Sequence, residues 1–120
     1  MKVLKTLIRV YVEDLDSGLS FYENLLGIKA RSRFDYPEMK LELATVGDIL
    51  LIAGSKEALK PFQNTNATFL VDSVEKFRNY LEQQGGKIIR GIKDVPTGWN
   101  MIVKHPDGAV IEYVEHFKEN

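Results

Sequence analysis

The chain repeats itself. Val12-Glu13-Asp14-Leu15 leads into an amphipathic stretch that closes at Leu26-Gly27, and Val71-Asp72-Ser73-Val74 leads into another that closes at Gly85-Gly86. Val12 and Val71, Gly27 and Gly86, and Asp48 and Asp107 all stand 59 positions apart. A constant offset at separate landmarks means that one unit has been duplicated. Two small βα units usually enclose a shared cleft, so ligand contacts are expected where the copies face each other.

Within the first copy, Lys5 to Val12 is β-branched enough for a strand, and Asp14 is an N-cap candidate. Leu15, Leu19, Tyr22 and Leu25-Leu26 then recur at helical spacing until Gly27. Ile28 to Phe34, Met39 to Val46 and Ile49 to Ala53 follow as strands, broken at Asp35-Tyr36-Pro37 and Gly47-Asp48. The second copy gives a strand over Asn66 to Val71 and a helix capped by Ser73 that uses Val74, Phe77, Leu81 and Tyr80. Strands over Lys87 to Ile92, Trp99 to Lys104 and Ala109 to Val114 complete it. The expected fold is α+β: two βαβββ modules forming curved mixed sheets around a cleft, with the helices on the outer faces. The chain is expected to be a single domain over residues 1–120, with module one at 1–54, a linker at 55–63 and module two at 64–120.

Strand side chains alternate between faces, so parity sorts the first strand of each copy. Ile8, Val10 and Val12 should lie under the first helix, leaving Leu7, Arg9 and Tyr11 opposite. Ala67, Phe69 and Val71 take the helix side in the second copy, leaving Asn66, Thr68 and Leu70 opposite. On the last strand Glu112 shares a face with Val110, Val114 and His116, a charge among apolar neighbours.

Composition closes several other routes. A net charge of −1 argues against nucleic acid, whose recognition needs clustered Lys and Arg. The longest apolar run, Ile49 to Ala53, is far too short to span a bilayer, so no membrane partner is expected. Met1-Lys2-Val3-Leu4 enters a strand pattern directly and not a secretory leader, which makes the cytoplasm the expected location. With no cysteine, disulfides, thiolate ligands and a cysteine nucleophile are excluded. No spaced glycine phosphate loop or Gly-x-Ser-x-Gly elbow occurs. The tail Glu115 to Asn120 mixes both signs and reads as a solvated terminus.

The βαβββ repeat with Val12-Glu13-Asp14-Leu15, Phe21-Tyr22 and Leu26-Gly27, and with His105-Pro106-Asp107-Gly108 running to Glu112, resembles the vicinal oxygen chelate superfamily. This is the glyoxalase, bleomycin resistance and extradiol dioxygenase group, with its V-x-D-L, FY…LG and DPDG-x-x-x-E segments. The resemblance spans nearly the whole chain. It implies a homodimer, and in metal-dependent members a divalent ion held by one side chain from each of the two first and two last strands of the modules. Carried onto this sequence, those positions are Leu7, Asn66, Ile52 or Ala53, and Glu112. Aliphatic side chains offer a metal no donor, so no metal and no other cofactor is expected. His105 and His116 read as turn or surface residues.

The leading expectation is therefore metal-independent binding of a small organic molecule, in the manner of bleomycin-resistance-type members that sequester a drug. Arg9, Tyr11, Asn66, Thr68, Trp99 and Glu112 are the expected ligand contacts, with Glu112 also the candidate catalytic base. Two alternatives stand beside this. Glu112 can instead pair with Arg9 as a structural ion pair, and Tyr11 and Trp99 can fill the core. The alternative function is a metal-dependent lyase or isomerase of the lactoylglutathione lyase type.

Overall fold

The computed structural model describes residues 1–118, so Glu119 and Asn120 of the expected tail lie outside the described residues. In chain order the elements are β1 (Val3–Val12), α1 (Leu15–Leu26), β2 (Ser32–Tyr36), β3 (Leu41–Val46), β4 (Ile49–Ala53), α2 (Lys56–Leu59), β5 (Ala67–Val71), α3 (Val74–Gln83), β6 (Lys87–Val95), β7 (Gly98–Lys104) and β8 (Val110–His116). They group into two compact units, one of Ile8–Asn64, the other of Met1–Leu7 with the chain from Thr65 on. β1 is divided between them after Leu7.

The unit of residues 8–64 holds a mixed sheet in the order β2-β3-β4-β1. β1 runs parallel to β4, with Arg9 opposite Leu50 and Tyr11 opposite Ile52, whereas β3 is antiparallel to both β2 and β4. Asp14 caps α1 by accepting the Ser17 amide, and Gly27 ends it at φ 70°, in the left-handed region a Cβ disfavours. Leu15 and Leu19 press onto Ala44, Val46, Leu51 and Ala53, flanked by Val10, Val12 and Tyr22. Ile8, expected under the first helix with Val10 and Val12, is 63% exposed. Leu25 and Leu26 are exposed as well. At about 100° per residue Leu25 falls well off the Leu15–Leu19–Tyr22 stripe. Leu26 remains in that stripe but sits over the Gly47 turn, near where a Cβ on Gly47 would stand.

The other unit places β5, β8, β7 and β6 in that order, with β5 parallel to β8 and the two later pairings antiparallel. Ser73 caps α3 by accepting the Lys76 amide, and Glu115 of β8 accepts the Val74 amide at 3.0 Å, so two of the helix's first donors are satisfied. Val74, Phe77 and Leu81 bury against Val71, Met101, Val103, Ile111 and Tyr113, with Ala67, Phe69 and Trp99 partly buried beside them. Tyr80 lies off that stripe and is exposed. Each unit is thus a mixed sheet with one helix packed on one face, the expected α+β class.

Several boundaries moved. β2 begins at Ser32, not Ile28, and ends where Pro37 opens a 3₁₀ turn over Pro37–Met39. Ser55 caps a short helix inside the expected linker, which turns into a 3₁₀ segment over Lys60–Phe62. Residues 1–7, assigned above to module one, group with the second half. There the Lys2 amide donates to Asp72 Oδ1 at 2.9 Å and Lys2 O accepts the Asp72 amide.

Candidate ligand-binding site

On β8, parity sends Ile111, Tyr113 and Glu115 toward α3 and leaves Glu112 on the opposite face. The register then assembles its surroundings, because β5 places Thr68 beside Glu112 and β7 places Ile102 opposite it, with Asn100 one step along opposite Val114. Thr68 Oγ1 donates to Glu112 Oε1 at 2.8 Å, and Asn100 Nδ2 donates to Glu112 Oε2 at 2.6 Å. Asn100 Oδ1 in turn accepts from Arg90 Nη2 at 2.7 Å. Thr68 and Asn100 are the two buried polar residues of the described structure, and both serve this carboxylate.

Of the expected contacts, Thr68 and Glu112 are brought together. Asn66 falls just before β5, which begins at Ala67, and its Oδ1 accepts the Val110 amide at 2.8 Å. Trp99 requires a correction. It has the parity of Met101 and Val103, packs against the α3 core and meets the Phe117 ring edge-on at 5.0 Å, so it is on the sheet face away from Glu112. Arg9 and Tyr11 belong to the unit of residues 8–64. The Arg9 guanidinium carbon lies 5.6 Å from the Tyr11 ring centroid, a cation–π distance, and the Tyr11 hydroxyl donates to Phe62 O.

Asn100 and Arg90 were not among the residues expected from sequence. Asn100 carried a usable signal, being the one polar side chain within the apolar run Trp99 to Val103 and having the parity that faces Glu112. Arg90 carried a weaker one, through Gly91 beside it, since glycine within a strand marks a bulge.

His105 stands apart from this carboxylate cluster, whereas His116 is near enough to Glu112 to feel its charge. His105 lies in the expected turn, but its ring is half-buried, with Nε2 2.6 Å from the Tyr113 hydroxyl. Burial pushes the Tyr113 hydroxyl up to about 12. Desolvation holds His116 below the ordinary histidine value, with the Glu112 charge acting the other way.

The chain matches the Glyoxalase/Bleomycin resistance protein/Dioxygenase superfamily over residues 6–113. It belongs to that superfamily. A lactoylglutathione lyase of Neisseria meningitidis serogroup A is 31% identical, the alignment covering 96% of this chain and 91% of that protein. A crystal structure of an uncharacterized protein from Methanosarcina mazei is 58% identical, with a TM-score of 0.94 over all of this chain and 98% of the other. Methylmalonyl-CoA epimerase from Mycobacterium tuberculosis, at 18% identity and a TM-score of 0.75 over 97% of this chain and 90% of its own, shares the fold.

The residues do not fit the divalent ion that metal-dependent members hold. Parity resolves the ambiguity on β4 in favour of Ile52, which is opposite Tyr11, whereas Ala53 packs in the α1 core. Leu7 and Ile52 are both buried aliphatics, and the Asn66 amide oxygen already accepts a main-chain hydrogen bond. Among the described residues no three His, Cys, Asp or Glu side chains converge as metal ligands.

Proposed function

We propose that this member of the superfamily binds a small organic molecule without a metal ion, through the sheet face that carries Glu112. The observation that carries this reading is the donor set. At the family's ligand positions Leu7 and Ile52 supply nothing, and Glu112 has each oxygen engaged by a neutral donor of its own sheet. A carboxylate held at both oxygens is oriented for contact with a ligand. Arg9 and Tyr11 are proposed as contacts on the same reading, Arg9 through its fixed fork and Tyr11 through its ring. Asn66 is proposed as a contact at the edge of the Glu112 face.

Metal content is the direct test. Protein purified without chelator should contain well under one equivalent of zinc, nickel or iron by elemental analysis. Stoichiometric metal together with lactoylglutathione lyase activity would overturn the reading. That second reading, a lyase, draws support from the 31% identity to the Neisseria enzyme, but it requires ligands where this chain has Leu7 and Ile52.

The homodimer belongs to the same proposal. β2 and β6 end the strand order of their units, and sheet edges of this kind need covering. Light scattering should return twice the mass of the 13.7 kDa chain at micromolar concentration, and a monomer mass would count against it.

A further inference from the structure

The β6–β7 ladder is irregular at two places, between Ile88 and Arg90 and between Arg90 and Lys93. Ile88 pairs with Val103 on the α3 side, and an unbroken ladder would set Arg90 against Met101, which is fully buried in that core. The extra residue at Ile89 sets Arg90 against Ile102 instead. Ile102 is the partner of Glu112, so the bulge has turned an arginine out of the core and onto the face of the carboxylate.

There Arg90 Nη1 donates to Gly91 O at 2.8 Å and to Asn100 O at 3.3 Å, while Nη2 takes Asn100 Oδ1. A guanidinium is a donor only. The Asn100 oxygen must therefore face Arg90, which leaves the amino group aimed at Glu112 Oε2. The guanidinium thus fixes the sense of the whole chain of hydrogen bonds. Glu112 sits at its end, receiving donors from two sides.

We propose that Arg90 and Asn100 are positioning residues that hold Glu112 as a hydrogen-bond acceptor, so that the ligand of this face brings an N–H or O–H donor, an organic ammonium above all. The proposal deepens the preceding one and rests on Glu112 touching the ligand. Charge alone argues the opposite way, since Lys93, paired with Asn100, and Arg90 outnumber Glu112 on this side of the sheet. Hydrogen-bond direction prevails because it acts at contact, whereas charges a strand or more away are weakened by water and salt.

Benzylammonium and benzoate share a ring and differ in the head group, which makes them matched probes. Each is titrated into the full-length protein with amide shifts of residues 66–70, 100–102 and 110–114 as the readout. Benzylammonium should bind at least about tenfold tighter than benzoate. Arg90→Met, which removes the anchor of the Asn100 carboxamide and lets it swing away from Glu112, should remove most of that preference, and Arg90→Lys, which keeps a donor there, should restore part of it. A second readout needs no ligand: exchange of the Asn100 side-chain amide protons should be slow in the parent and fast in Arg90→Met.

Equal binding of the two probes, a preference for benzoate, or an Arg90→Met protein unchanged in both readouts would overturn the positioning role. Glu112→Gln separates this failure from that of the preceding reading. If that variant binds benzylammonium as the parent does, Glu112 is no ligand contact and both proposals fall. If it loses binding while Arg90→Met keeps it, only the role of Arg90 and Asn100 falls.

Discussion

Glu112 shows how one misfit in a sequence becomes a site. Its neighbours on β8 are apolar, and the alternation of the strand was enough to put it on the face of Thr68. The identity of its second donor was not readable in the same way, because Asn100 meets it diagonally across a register that only the folded sheet defines. Replacement by glutamine should be tolerated structurally. The new amide can accept from Asn100 while donating to Thr68, whose hydroxyl works in either sense. The melting temperature of Glu112→Gln should therefore stay close to the parent's, while a donor-bearing ligand is lost. Thr68→Val, in contrast, removes a buried donor to a charged group, and urea denaturation should report a loss of about 1.5–3 kcal/mol. Tyr113 supplies a pH dependence of definite sign. Its folded value of about 12 lies above the unfolded value near 10, so the stability it contributes is intact below about pH 10 and is lost as pH rises toward 12. Stability of the parent measured from pH 9 to 12 should fall over that window, and Tyr113→Phe should flatten the fall while costing about 1 kcal/mol at neutral pH for the bond to His105.

Helix starts were the most readable elements because their signals are local. Asp14 and Ser73 each cap the helix expected to follow, and alanine at Ser73 should cost about 0.5–2 kcal/mol in thermal or urea unfolding. Strand limits were less readable, since a strand ends where its partner does. Ile28 to Arg31, read as the start of a strand, precede β2, and β6 runs on to Val95 through two register shifts that no periodicity announces. The turn between β6 and β7 makes its own demand. Gly98 has φ 153°, and a Cβ there would stand 2.0 Å from Glu115 O, a main-chain atom that cannot yield without moving β8. Gly98→Ala should therefore lower stability by at least about 2 kcal/mol, visible as a drop in urea midpoint, whereas alanine at Gly91, where nothing lies near the added carbon, should cost far less.

The duplication was readable because an offset survives any amount of local ambiguity, and it gave the two helices, their caps and the α+β class together. It did not give the partition of the chain. The repeat places residues 1–7 with the first copy, yet they group with the second, because strand partners and not sequence distance decide which core a segment joins. Met1 and Lys2 are tied to Asp72 just after β5. The terminal ammonium lies 3.6 Å from Asp72 Oδ2, and the Lys2 amide and carbonyl both bond that residue. Leu7, buried to 8% exposure, adds an apolar side chain to the same unit. A chain beginning at Ile8 should accordingly lose protection in the distant half of the sequence. Amide hydrogen exchange should accelerate first in β5, Ala67–Val71, and in the Ser73 cap of α3, while β3 and β4 keep their protection relative to global unfolding. Loss confined to β2, β3 and β4 would mean that the first seven residues serve the copy they belong to in sequence. The milder variant Asp72→Asn tests the same tie without removing Leu7. It keeps an oxygen for the Lys2 amide but not the charge facing the terminal ammonium, and its effect on exchange should be smaller, of the same pattern, and reduced further by salt.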